Sequence, residues 1–182
     1  LDFSDIARRY FPKTQADNFR LLKSDLLVER SGGGPEQPVG RIGFIERDMP
    51  GSTVSNFVQV LRADPEKVDA SFLRWVLFEL QRTGIVERVQ QQSTQMRNLN
   101  WRDYQRLMVP WPEKYEQHRI AAALNLVDDA ILKARADLDA VRALKRSLID
   151  RLLTLGKSGN HRPSETKFGA VPSHWTVKTL SE

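Results

Sequence analysis

The sequence predicts an α+β chain: a mixed α/β domain followed by one long coiled-coil helix. Three observations carry this. Short apolar runs punctuated by glycine and proline fill residues 1 to about 110. Tyr115 to Leu155 then contains neither Pro nor Gly and repeats its apolar positions every seven residues. Pro110 and Pro112 bracket Trp111 between the two regions, and proline cannot extend a strand ladder.

In the first region, Leu26-Leu27-Val28 is a short apolar run followed by the breaker Ser31-Gly32-Gly33-Gly34-Pro35. Val39 to Ile45 predicts a glycine-containing strand, and Phe57 to Leu61 another, with Gln59 alternating between Val58 and Val60. Asp64-Pro65 marks a helix start or turn, and Asp69 is placed to cap the helix that follows. Phe72, Leu73, Val76, Leu77 and Leu80 share one helical face, and Gly84 can end it. Phe72, Trp75 and Phe78 read as core residues of this helix. Ile85 to Arg106 is polar and fits no period, apart from Asn100 as a cap for Trp101 to Gln105. Leu107-Met108-Val109 predicts a last strand.

In the second region, Leu124, Val127, Ile131, Ala134, Leu138, Val141, Leu148, Leu152 and Leu155 follow a heptad, with Lys145 the break at the seam. At 1.5 Å per residue such a helix runs about 60 Å. That is too long for its stripe to be covered by the preceding domain, so the stripe asks for a second helix. Gly156 stops it, Gly156 to Pro163 is polar, and Phe168 to Glu182 begins something new.

Composition narrows the function. The chain has 182 residues and is 40% hydrophobic, enough for a core. It has no cysteine, which removes disulfides, thiolate metal sites and thiol nucleophiles and fits a reducing compartment. No apolar run reaches the roughly 18 residues of a membrane span. Leu1 is not an initiator Met, so a fragment or processed chain is expected. The net charge is +5 with 19 arginines against 9 lysines, and arginine's planar fork suits phosphates and guanine edges.

Catalytic constellations are missing. There is no Asn/Asp-Pro-Pro-aromatic tetrapeptide of amine methyl transfer and no phosphate-binding G-x-x-x-x-G-K-S/T. Asp64-Pro65-Glu66-Lys67 has the letters of a nuclease site without a second acidic cluster, and reads as a helix start. His118, His161 and His174 stand at no ligand or triad spacing. The expectation is no catalysis, no cofactor and no metal.

The informative polar stretch is Arg88 to Arg106. It carries Arg88, Arg97, Arg102 and Arg106 against one acid, Asp103, and is dense in amides and hydroxyls: Gln90, Gln91, Gln92, Ser93, Thr94, Gln95, Asn98 and Asn100. Amides pair bidentately with adenine, arginine with guanine, and hydroxyls bind phosphate. A solvated loop with capping amides explains the same letters. Arg30-Ser31-Gly32-Gly33-Gly34 fits two readings equally, backbone amides beside a phosphate or a plain loop.

The order of segments is similar to that of a known family. Leu21 to Gly33 resembles the "GD-apolar-apolar…R-S/G" segment inside a target recognition domain of type I restriction-modification specificity subunits, with Lys23-Ser24-Asp25 departing from the usual Gly-Asp. Ser93 to Asn100 resembles that family's "ST…N-L/I-N" segment. Val109-Pro110-Trp111-Pro112 with Glu116-Gln117-His118-Arg119-Ile120 resembles its "P-x-P…EQ-x-x-I" helix entry, and Gly169 to Trp175 resembles the "G-x-I/V-P-x-x-W" that opens a recognition domain. The resemblance implies a non-catalytic cytoplasmic protein that reads one half of a bipartite double-stranded DNA target. It also implies docking of methyltransferase subunits, joined by motor–nuclease subunits, with two long antiparallel helices as a ruler.

On that reading residues 1–112 are a recognition domain whose opening segment is expected to be missing, 113–156 the spacer helix, 157–167 a linker and 168–182 the start of a second recognition domain. Candidate DNA contacts are Arg30, Ser31, Arg41, Arg88, Gln91, Gln92, Thr94, Gln95, Arg97 and Asn98. Candidate helix-pairing residues are Leu124, Val127, Ile131, Leu138, Val141, Leu148 and Leu152, with a homodimer as one outcome. The alternatives are the recognition region of a single-chain restriction-methyltransferase fusion, and a coiled-coil adaptor without a DNA role.

Overall fold

A computed structural model of the chain describes residues 6–10, 12, 20–34, 37–92, 96–157, 162–167 and 169–181, with Gln92 followed by its backbone alone. Two compact units divide it, Leu1–Asn125 and Leu126–Glu182. The architecture is α+β, as the sequence predicts.

The first unit is built on β2, Leu26–Glu29, which pairs antiparallel with β4 (Ile42–Phe44) on one side and β6 (Val58–Leu61) on the other. Side chains alternate across a strand, so Leu26 and Val28, both 0% exposed, fall on one face and fill the core. A smaller pair joins β1 (Arg20–Leu21) to β5 (Met49–Pro50). Onto this core packs α1, Ala70–Arg82, which buries Phe72, Leu73, Leu77 and Leu80. Asp69 caps it as predicted, its carboxylate accepting from the Phe72 amide at 3.0 Å. Gly84, at φ +74°, takes the left-handed conformation beyond the last turn.

Phe78 corrects the aromatic prediction. It is 45% exposed, whereas Phe72 is buried. Six residues of helix turn the chain through about 600°, which leaves the two rings on different sides. Trp75 lies at the edge of the stripe, half-buried, with its indole N–H donating to Asn125 Oδ1 at 2.8 Å.

Two other strand predictions shorten or fail. The strand expected over Val39 to Ile45 spans only Ile42–Phe44. Gly40 stands at φ +104°, and a Cβ there would meet Val86 Cγ1 at 2.6 Å, so the chain turns inward just before the strand. Leu107 to Val109 form no strand. They follow the short helix α2 (Trp101–Tyr104), and Leu107 and Val109 instead lay their side chains against the core.

The stretch without a period, Ile85 to Arg106, resolves into short pieces: a 3-10 turn at Ile85–Val89, strand β7 (Gln90–Gln92), strand β8 (Arg97–Leu99) and α2. Together with β3 (Ser31–Gly33) the two strands form a second three-stranded sheet, in the order β3-β8-β7. Arg30 is the single residue between β2 and β3. Its N–H donates to Phe57 O at 2.7 Å and its carbonyl accepts from Leu99 N at 2.7 Å, so one line of chain serves both sheets.

The long helix α3 runs Lys114–Leu155, 42 residues without a break, about 63 Å at the standard rise. Gly156 ends it at φ +73°, its N–H donating to Leu152 O at 3.0 Å. All seven candidate pairing residues are exposed along it, from 39% at Leu124 to 62% at Val141. In the second unit, β9 (Pro163–Thr166) and β10 (Gly169–Pro172) pair as an antiparallel hairpin. Strand β9 therefore lies within the stretch read as a polar linker. Among the described residues no helix is long and apolar enough to cross a membrane.

Candidate nucleic-acid interface

The second sheet gathers candidates that are some 60 residues apart in sequence. Its register aligns Ser31 with Asn98 and Asn98 with Gln91, so these three form one row across β3, β8 and β7. Residues directly opposite on neighbouring strands point to the same face. The adjacent row, Leu99 and Gln90, faces the other way. Leu99 is 5% exposed in the core, which makes the Ser31-Asn98-Gln91 row the outward one. Asn98 Oδ1 accepts a hydrogen bond from the Ser31 hydroxyl. Gln91 is exposed on β7, the edge strand of this sheet among the described residues.

The remaining candidates are placed differently. Arg97 lies one residue from Asn98 and therefore on the inward face. Its side chain is 20% exposed and its guanidinium stands 3.6 Å from Glu87. Arg41 is held by both oxygens of Glu29, at 2.8 and 2.6 Å. That bond raises the guanidinium's pKa above its ordinary value. Arg30 donates to Gln59 Oε1 at 3.2 Å and lies 5.9 Å from the Trp101 ring centroid. Arg88, in the 3-10 turn, is exposed, as are Arg102 in α2 and Arg106 just after it. Gln92 takes part through its backbone, opposite Arg97. Thr94 and Gln95 lie outside the described residues.

Gln90, one of the amides the sequence singled out, is a structural clamp. Its side chain accepts from the Val39 N–H at 3.3 Å and donates to the Val39 carbonyl at 2.9 Å, as a neighbouring strand would. Asn100 caps α2 as predicted: its side-chain oxygen accepts from Asp103 N at 3.4 Å, and its amide donates to Asp103 Oδ2 at 2.5 Å. Behind the sheet Tyr104 stacks on Trp101 with centroids 5.4 Å apart. Its hydroxyl is buried without a hydrogen bond among the described residues, and burial pushes its pKa up to about 12.

Two supports escaped sequence reasoning. Asp25, 0% exposed, holds Arg62 Nε and Nη2 at 2.7 Å each and accepts from Leu22 N at 2.7 Å. Burial pushes its pKa up, but the Arg62 and Leu22 bonds outweigh it and hold the carboxyl below its ordinary value. The Lys23-Ser24-Asp25 turn that precedes β2 puts Ser24 at φ +73°, the left-handed region that glycine favours. Gln117, 1% exposed, takes the Asp69 N–H at 2.9 Å and gives its amide to Pro112 O at 2.9 Å. It thereby ties the start of α3 to the cap of α1. The motif Glu116-Gln117-His118-Arg119-Ile120 was the available signal for it. Among the described residues no group of three His, Asp or Glu side chains is arranged to hold a metal ion.

No family profile matches the chain. It is 20% identical over 162 residues to the "Putative type I restriction enzyme MjaX specificity subunit" of Methanocaldococcus jannaschii. That alignment covers 89% of this chain and 38% of that protein's length. Its fold is similar to the crystal structure of a type I restriction-modification system S subunit from M. genitalium. The TM-score is 0.61 at 20% identity, over 78% of this chain and 35% of that one. By sequence and by fold, then, the chain is similar to type I restriction-modification specificity subunits over somewhat more than a third of their length.

Proposed function

We propose that the chain reads DNA for a type I restriction-modification enzyme and performs no chemistry itself. The observation that carries this is the outward Ser31-Asn98-Gln91 row. Three polar side chains from separate segments are set on one rigid sheet face, with the exposed Arg88 close by in sequence. Hydroxyls and amides on a strand platform suit base edges, and a free guanidinium suits phosphate. In this reading residues 1–112 recognise one half of a bipartite duplex target, and 113–156 are a spacer that docks methyltransferase subunits. Residues 168–182 begin a second recognition domain, and motor–nuclease subunits join the assembly to restrict DNA. The exposed stripe from Leu124 to Leu152 packs on a second long helix, and another copy of this chain is a sufficient source of one. The assembly works in the cytoplasm, where its DNA target is found.

Duplex binding measured against salt tests the reading. Neutralised phosphates release counterions, so log K should fall linearly with log salt, by about 0.9 per phosphate contacted. Arg88→Ala should weaken all duplexes alike and flatten that slope by about one. Absent binding, or binding indifferent to salt, would return the chain to the adaptor reading.

A further inference from the structure

We infer that Gln91 is a base-reading residue of this interface and that its partner is an adenine, read through the major-groove edge. The inference rests on the DNA-reading function proposed above and adds the residue and the base.

Hydrogen bonding sets Gln91 apart from the amides around it. A carboxamide recognises adenine by donating to N7 and accepting from the N6 amine at once, so both its ends must be unoccupied. Of the amides in Gln90 to Asn100 whose side chains are described, Gln90 has both ends on Val39. Asn100 is engaged with Asp103 at the start of α2. Asn98 has its carbonyl oxygen committed to the Ser31 hydroxyl, which takes one of its two lone pairs and fixes the amide plane. Gln91 is exposed, and among the described residues its amide has no hydrogen-bond partner. It alone in this set has neither end of its amide committed to a neighbour.

Its position suits the task. Strand β7 is an edge of the sheet, so the side chain stands where a groove can approach, while the backbone is anchored to β8 through Gln90, Gln91 and Gln92. The Gln90 clamp fixes the residue just before it. The major groove admits a β-ribbon, and the Ser31-Asn98-Gln91 row faces away from the core. Asn98, beside Gln91 in the row, presents its amide N–H to an acceptor on the same or the next base pair. Arg97, by contrast, lies on the inward face near Glu87.

Selection of duplexes from a randomised pool by the full-length protein defines the target motif and tests the assignment together. The wild type should enrich a motif with an adenine that depends on Gln91. Gln91→Ala should relax that one position by about 5- to 150-fold and leave the rest of the motif intact. Gln91→Glu, which only accepts, should move preference at the same position toward cytosine, whose N4 amine donates. Motifs unchanged in both variants would overturn the assignment, as would a uniform weakening at every position with a flatter salt slope, the mark of a phosphate contact. A wild type that enriches no motif would overturn the DNA-reading function itself, and this inference with it.

Discussion

Replacing Arg62 with alanine strands the Asp25 carboxylate in the core. Its side chain is 1% exposed and loses two of its three hydrogen bonds, leaving only the Leu22 N–H. Breaking a fully buried ion pair by removing one partner costs about 3–5 kcal/mol. The Arg62 side chain is 53% exposed, so water reaches its side of the pair and the expected loss falls to about 2–3 kcal/mol. The pH dependence has a definite sign. In the native chain the carboxyl's pKa is below its unfolded value, so its contribution is present above about pH 4 and is lost as pH falls through the folded pKa. Without Arg62, burial dominates and lifts the folded pKa above the unfolded one. The variant is then penalised most at neutral pH, and protonation relieves the penalty as pH drops. Urea unfolding followed by tryptophan fluorescence, from neutral pH down to about pH 4, should show the gap between the two proteins closing. A gap under about 0.5 kcal/mol at neutral pH, within the range of an ordinary surface change, would refute the reasoning. A gap that widens with acid would do so equally.

Ser24→Gly should raise stability by about 0.5–1 kcal/mol, because glycine avoids the left-handed penalty of a residue at φ +73° and returns only part of the gain as chain entropy. A lower urea midpoint would contradict it. Gln117→Ala should cost about 2–4 kcal/mol, since it leaves the Asp69 N–H and the Pro112 carbonyl without their partner. The same variant should speed hydrogen exchange at Asp69 and in the first turns of α3. Unchanged exchange there would mean that water takes the amide's place at no cost.

The long helix was legible because its evidence is local and redundant. A heptad sustained from Leu124 to Leu155 without Pro or Gly leaves the backbone no competing structure, and Gly156 ends it where a left-handed residue is needed. The caps Asp69 and Asn100 were legible for the same reason, since each bonds to an amide three residues on. The apolar run Leu26 to Val28 and the strand predicted over Phe57 to Leu61 were visible within a few residues, and strands form at Leu26–Glu29 and Val58–Leu61.

The second sheet was not legible, because its strands are short and polar and carry no hydrophobic alternation of their own. Arg97–Leu99 pairs with Gln90–Gln92 nearby in the chain and with Ser31–Gly33 on its other side, and that second pairing joins segments more than 60 residues apart. Sequence could mark Ser31, Gln91, Arg97 and Asn98 as polar candidates of one chemistry. Register alone separates them: it turns Ser31, Asn98 and Gln91 outward, turns Arg97 toward Glu87, and shows Gln90 already bonded to Val39. Residue types are set by the chain, but which amide stays unbonded depends on which partners the fold brings within reach.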